Sequence, residues 1–205
     1  MAIIGNVDYQ SIPLKTDKMR ESGKNLCNEM HAMYNTVERI HDDWYGARYN
    51  DLVKAFNNIR PSINSMLELV FTTIPATLDT VANNYSKVDR QVPLRAVSEE
   101  KPQIVEDIPV INDEGKFRYI TASVEEKRKA VEANISKSVL LLDEFEGIYR
   151  TIDWESDAAT VYRAKFTELK GELITSFEDL KKQFSELMAQ AEKDIQATEN
   201  ANTVN

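Results

Sequence analysis

Apolar residues recur at alternating steps of three and four along most of this chain, and this spacing constrains the fold more than any other feature. In an α-helix, such a spacing places the apolar side chains on one face. The first such stripe comprises Leu26, Met30, Met33, Val37, Ile40 and Trp44. Only six Gly and six Pro occur in 205 residues, and the hydrophobic content is 42%, so we expect an all-α protein with a packed core.

A second stripe begins at Leu52, directly after the first tryptophan, and continues to Tyr85. Two helices joined by so short a turn are expected to pack antiparallel. The first helix is expected to begin at Ser11 or Thr16, since either residue can cap it. Pro61 and Pro75 fall inside the second helix, where each removes a backbone donor. We therefore expect kinks at these prolines, or a break near Pro75.

The second half of the chain follows the same plan. Ser123 and Glu126 have the spacing of a capping box, which predicts the start of a third helix. Its apolar stripe ends at Ile152, Trp154 interrupts the pattern, and Ser156 is placed to cap a fourth helix. Measured from each tryptophan, the apolar positions of the two downstream helices coincide, as at Phe56 and Phe166. The upstream helices do not coincide, so the duplication is old or only architectural.

Together these patterns predict two long antiparallel helical hairpins in tandem that form a four-helix bundle. The first hairpin is expected over 10–90, a linker over 91–122, the second hairpin over 123–198 and a disordered tail over 199–205. Three prolines keep the linker from being helical. Its segment 110–120, around an Asp-Glu-Gly turn, predicts a short β-hairpin, which would be marginal alone and therefore mobile.

The two tryptophan turns carry a family resemblance. Trp44 and Gly46, between two amphipathic helices, resemble the motif of the WXG or ESAT-like helical proteins of Gram-positive bacteria. Trp154 resembles it more distantly, since Ser156 replaces the glycine. That family consists of helical hairpins that pair antiparallel into four-helix dimers. Its members leave the cell through type VII secretion without a cleaved signal peptide.

The resemblance also implies an export signal and a way of pairing. The family carries a Tyr-x-x-x-Asp/Glu signal after its second helix, and Tyr85 and Asp89 match it in that place. Two fused units would pair their hairpins inside one polypeptide, in place of the family's dimer. The implied partners are the proteins of the secretion machinery and an exported cargo. Whether the chain is a monomer or a homodimer, and a substrate or an escort, stays open.

Charge and the sparse reactive residues limit the function further. The net charge of −9 disfavours nucleic acid and anionic membrane as partners. The first residues lack a basic start and a long apolar stretch, so we expect synthesis in the cytoplasm, and the family resemblance implies later export without a cleaved signal peptide. His31, His41 and Cys27 do not form a metal-binding or nucleophilic pattern. We therefore expect a non-enzymatic protein with no cofactor and no metal.

Two other functions fit a long helical chain. A helical pore-forming toxin component would need a membrane tongue, for which the segment 103–121 is the candidate. Its six charged residues between Ile104 and Ile120 argue against that role. An intracellular coiled-coil scaffold is separated from a secreted protein only by the family resemblance.

Overall fold

The computed structural model describes residues 7–203, and the regular structure in that range is almost entirely helical. The elements in chain order are α1 (Ile12–Ile40), β1 (Trp44–Tyr45), α2 (Ala47–Glu68), a π-helical turn (Leu69–Thr73), α3 (Ile74–Val88), β2 (Arg118–Tyr119), α4 (Thr121–Arg150) and α5 (Asp157–Thr203). The expected all-α class is confirmed. Apart from Phe71 in the π-helical turn, the buried apolar side chains of these helices belong to one core cluster.

Helix α1 packs against α2 and α3 in the opposite chain direction. Near the start of α1, Thr16 Oγ1 donates to Asp79 Oδ1 of α3 over 2.6 Å. Near its end, the Tyr34 hydroxyl donates to the Phe56 carbonyl of α2, also over 2.6 Å. The predicted stripe from Leu26 to Trp44 is fully buried, with no member more than 1% exposed. The 3–4 spacing therefore marks the core face of α1.

The expected disturbance near Pro75 takes the form of the π-helical turn that precedes it. Pro75 falls in the first turn of α3, where the missing N–H costs least. On the facing helix, a Cβ added at Gly23 would lie 3.2 Å from Phe71 Cα in the π-helical turn. A side chain at this position would require the two backbones to move apart by a few tenths of an ångström, so glycine favours their close approach. Pro61, by contrast, lies inside α2, which continues past it to Glu68.

Helix α4 lies along α1, also in the opposite direction. Just after the end of α1, the Asp43 carboxylate pairs with Lys127 from the start of α4. Just after the end of α4, the Thr151 carbonyl accepts a hydrogen bond of 2.7 Å from Lys15 at the start of α1.

Helix α5 turns back along α4 and also contacts α2. The Phe145 and Phe166 rings of α4 and α5 stack with centroids 5.2 Å apart. At the far end of α5, Asp194 Oδ2 lies 2.8 Å from a guanidinium nitrogen of Arg48, in the first turn of α2. Helix α5 runs to Thr203, so residues 199–203 are helical and the disordered tail predicted there is wrong. The last two residues of that predicted tail lie outside the described residues.

Two local predictions for the helix starts have different outcomes. Helix α1 begins at Ile12, directly after Ser11, which is one of its two predicted starts. Helix α4 begins at Thr121, two residues before Ser123, so the predicted capping box does not start it. The Ser123 hydroxyl instead donates to the Asp43 carboxylate across the contact between α4 and the α1–α2 turn.

The predicted β-hairpin in the linker is also wrong, because its second strand pairs elsewhere. The Asp-Glu-Gly turn does form, with the Lys116 N–H donating to the Asp113 carbonyl over 2.9 Å. Strand β2 then pairs with β1, with Tyr119 opposite Trp44 and Arg118 opposite Tyr45. Backbone N–H and C=O groups in the turn after α1 have no hydrogen-bond partner within a helix. Residues at the end of the linker provide these partners.

Candidate functional site

The first elbow, defined as residues 41–46, reverses the chain between α1 and α2. Trp44 lies there as predicted, with a fully buried side chain that packs edge-on against Tyr119 at a ring distance of 5.3 Å. Gly46 follows with φ +126° and is the N-cap residue directly before α2. Trp44 thus closes the end of the apolar core, and Gly46 allows the sharp reversal next to it.

Polar contacts of Asp43 fix the first elbow to α4. Its carboxylate accepts hydrogen bonds from Lys127 and Ser123, and its carbonyl accepts one of 2.9 Å from the Ile120 N–H. The hydrogen bonds from Lys127 and then Ser123 lower the pKa of the Asp43 carboxyl below its usual value. The elbow of the first half is therefore held to the first turns of the second half by a charged clamp.

The second elbow, defined as residues 151–156, reverses the chain between α4 and α5. Trp154 lies there as predicted, only 4% exposed, and forms an isolated antiparallel bridge with Val7. Ser156 Oγ accepts a hydrogen bond of 3.0 Å from the Ala159 N–H, so Ser156 caps α5 as predicted. The guanidinium of Arg163 also donates to the Trp154 carbonyl over 3.3 Å.

The candidate export residues lie at the end of α3, on the side of the molecule that holds the second elbow. Tyr85 is half-buried in the last turn, and Asp89 follows as the exposed C-cap residue. The Tyr9 hydroxyl donates to Asp89 Oδ2 over 2.6 Å, two residues after the Val7 bridge to Trp154. The structure therefore brings Asp89 to the end of the molecule where Trp154 lies, and not to the Trp44 end.

A feature that sequence analysis missed runs along α2. We call residues 103–111 of the linker the strap. Each of three asparagines on α2 makes a pair of hydrogen bonds to the backbone of one strap residue, donating to its carbonyl and accepting from its N–H. All six bonds measure between 2.8 and 3.2 Å. The pairs are Asn50 with Ile111, Asn57 with Ile108 and Asn64 with Val105.

The spacing of these asparagines matches the repeat of an extended chain. They are seven residues apart on α2, which is about 10.5 Å at 1.5 Å per helical residue. Their partners are three residues apart on the strap, which is about 10 Å for a nearly extended chain. The strap therefore has a fixed register on α2, which the sequence analysis did not predict. The regular Asn spacing was the sequence signal for it.

The beginning of the linker is anchored by a buried carboxylate. Asp79 of α3 is fully buried and accepts hydrogen bonds of 2.6 Å from Thr16 and from Arg20 of α1. Arg95 of the linker lies 3.8 Å from the same carboxylate and also donates to the Pro13 carbonyl over 2.9 Å. Burying Asp79 without these partners would be costly, so the linker helps to complete the cluster.

A cavity of about 700 Å³ opens beside the first elbow. It is walled mainly by apolar groups, among them Trp44, the 61%-exposed Phe117 of the linker and Ile195 of α5. The ion pair between Arg48 and Asp194 lies at the same place. The end of α5 therefore packs next to the Trp44 turn and leaves an opening there.

Groups for other chemistries are sparse. Within residues 7–203, no three His, Cys, Asp or Glu side chains lie together in a way that could hold a metal ion. Burial raises the pKa of the Cys27 thiol, which lies under the Gln103 carbonyl of the strap at 3.3 Å. Over the same part of the chain, no helix has the length and apolar character needed to cross a bilayer.

Comparison with known proteins gave no match: no family model, no curated protein and no solved structure is similar to this chain. The geometry described above therefore carries the functional argument.

Proposed function

We propose that this chain consists of two WXG-like helical hairpins fused in tandem, which pair within one polypeptide as a four-helix bundle. The first hairpin is α1 with α2 and α3, and the second is α4 with α5. The antiparallel contacts of α1 with α4 support this pairing. The contacts of α2 with α5 support it as well. Arg48 at the start of α2 forms an ion pair with Asp194 near the end of α5, while Asn64 near the end of α2 and Lys165 near the start of α5 line the same cavity.

The observation that carries the proposal is the position of the two tryptophan turns. Trp44 lies where α4 begins and α5 ends, beside the Asp43–Lys127 and Arg48–Asp194 pairs. Trp154 lies where α1 begins, beside Val7 and the Lys15–Thr151 bond. Two hairpins that pair antiparallel put their turns at opposite ends, and this is the arrangement that the WXG resemblance implies for a fused pair.

As a function, we propose a non-enzymatic interaction protein of a Gram-positive bacterium that is a substrate or an escort of a type VII secretion system. Its protein partners are the secretion machinery and, for an escort, an exported cargo. Tyr85 and Asp89 are the proposed export residues. Their position at a helix end, with the Asp89 carboxylate exposed, is compatible with recognition by another protein.

The test is export from a bacterium that carries a type VII system, with and without its secretion ATPase. The tagged chain is expected in the culture medium only when the ATPase is present. Tyr85→Ala is expected to keep the chain inside the cell. Tyr162→Ala, a change of another half-buried helical tyrosine, is the matched control and is expected to be exported. Equal amounts in the medium with and without the ATPase would contradict the proposal.

The charge of the linker disfavours the pore-forming alternative. A membrane tongue has to be largely apolar, whereas six charged residues lie between Ile104 and Ile120 of the candidate tongue. Release of dye from liposomes by the purified chain would support the alternative instead.

A further inference from the structure

We propose that the groove between α1 and α2 under the strap is a docking site for an extended segment of a partner protein. The strap then occupies the groove as an intramolecular ligand until such a segment displaces it. This inference rests on the groove alone and does not depend on export.

The asparagine pairs recognise a main chain and not particular side chains. Each amide of Asn50, Asn57 and Asn64 bonds only to a backbone N–H and C=O of the strap. Any chain that adopts the same extended conformation can supply those groups. Recognition of this kind gives affinity through the main chain and leaves specificity to a few side-chain positions.

Those side-chain positions recur every third residue. Pro102, Val105 and Ile108 are buried, Ile111 is half-buried, and the residues between them are exposed. A period of three is typical of a polyproline II-like chain, which loses little entropy on binding. The groove therefore fits an extended partner segment with a branched apolar residue or proline at every third position.

A charge in the groove adds a further requirement. Arg60 of α2 pairs with Asp107 of the strap at 2.7 Å, directly before the buried Ile108. If the strap left, the Arg60 guanidinium would lose this partner. The segment that fits best therefore carries a carboxylate directly before one of its apolar anchors.

The strap does not fill the groove. A cavity of about 460 Å³ remains between the strap and α1, lined by His31, Tyr34 and Asn35 on the α1 side. Ile104, which borders it, is 57% exposed. A partner segment with longer side chains at such positions would gain contacts that the strap does not make. This favours a partner protein over a second copy of the chain, whose strap would leave the same space.

The probe for this site is a fluorescein-labelled synthetic peptide with the sequence of residues 101–112. The protein is the full chain, with its own strap loosened by Val105→Asp and Ile108→Asp. We expect saturable binding to the loosened chain and binding at least about tenfold weaker to the unmodified chain, whose tethered strap has a high effective concentration. If circular dichroism shows that the double variant has lost its helices, Ile108→Ala replaces it.

A second test uses Asn57→Ala in the loosened chain, with Asn58→Ala as its matched control. Asn57 holds the strap, whereas its neighbour Asn58 is exposed. Asn57→Ala is expected to weaken probe binding about tenfold, the effect of about 1.4 kcal/mol, and Asn58→Ala to leave it unchanged. The Cys27 thiol, which lies under Gln103, should react faster with a thiol reagent in the loosened chain and slower again when the probe is added.

Three results would overturn the proposal. One is equal binding of the probe to the loosened and unmodified chains, and another is no binding to a loosened chain that is folded. The third is a strap-exchanged dimer of the unmodified chain, detected by light scattering, which would make a second copy the occupant of the groove.

Discussion

Gly46 is the residue at which the first elbow depends most on backbone freedom. Its φ of +126° and ψ of −175° lie in a region that other residues rarely enter. An added Cβ would meet Phe117 at 3.6 Å, an ordinary contact, so crowding is not the obstacle. The cost of a side chain at this position comes from the backbone itself.

We therefore predict that Gly46→Ala lowers the free energy of unfolding by about 1–3 kcal/mol. The matched control is Gly171→Ala in α5, where an added Cβ meets nothing within 4 Å. That change should raise the free energy of unfolding by roughly 0.5–1 kcal/mol, since alanine favours a helix. Chemical denaturation followed by circular dichroism measures both. A Gly46→Ala chain as stable as the original would contradict the role given to this glycine.

At the scale of single residues, the sequence predicts features that depend on residues close by in the chain. The Trp-x-Gly spacing predicted a reversal at Trp44, and the position of Ser156 before an apolar stripe predicted a cap. It could not predict the clamp on Asp43, whose partner Lys127 is 84 residues away. For the same reason the capping box was wrong, because Ser123 bonds to Asp43 and not to its own helix.

The strap is the element that the sequence described least well. The prolines correctly predicted a non-helical linker, but the partners of its backbone groups lie on α2, 41 to 61 residues away. A search for apolar periodicity does not detect a repeat of polar residues, such as the asparagines at every seventh position, Asn50, Asn57 and Asn64. The β-hairpin failed similarly, because β2 pairs with a strand in the first elbow. The helical stripes succeeded because the 3–4 spacing is local.

The strap predicts a distinctive pattern of amide hydrogen exchange. The N–H groups of Val105, Ile108 and Ile111 each donate to an asparagine, so they should exchange slowly. The N–H of Val110, a 55%-exposed residue between two of them, should exchange much faster. Exchange measured by NMR gives both rates. Uniformly fast exchange across 103–111 would contradict a bound strap, and Asn57→Ala should speed exchange most at Ile108.

For the whole molecule, the direction of the helices explains why so long a linker is needed. Helix α3 ends near the second elbow, where Tyr9 reaches Asp89, while α4 begins at the first elbow, where Lys127 reaches Asp43. The chain must therefore cross the length of the molecule between them. The strap makes this crossing along α2, so the linker both joins the two halves and covers one face of the first hairpin.

The central claim is that two tryptophan turns at opposite ends of the molecule join hairpins that pair within one chain. The most direct test is the distance between spin labels on Asp42→Cys and Glu155→Cys, both exposed positions in the elbows, with Cys27 replaced by Ser. Since the 30-residue α4 connects the two ends, double electron–electron resonance should give about 45 Å. A distance of about 20 Å, the width of a helical bundle, would place both turns at one end and contradict the account.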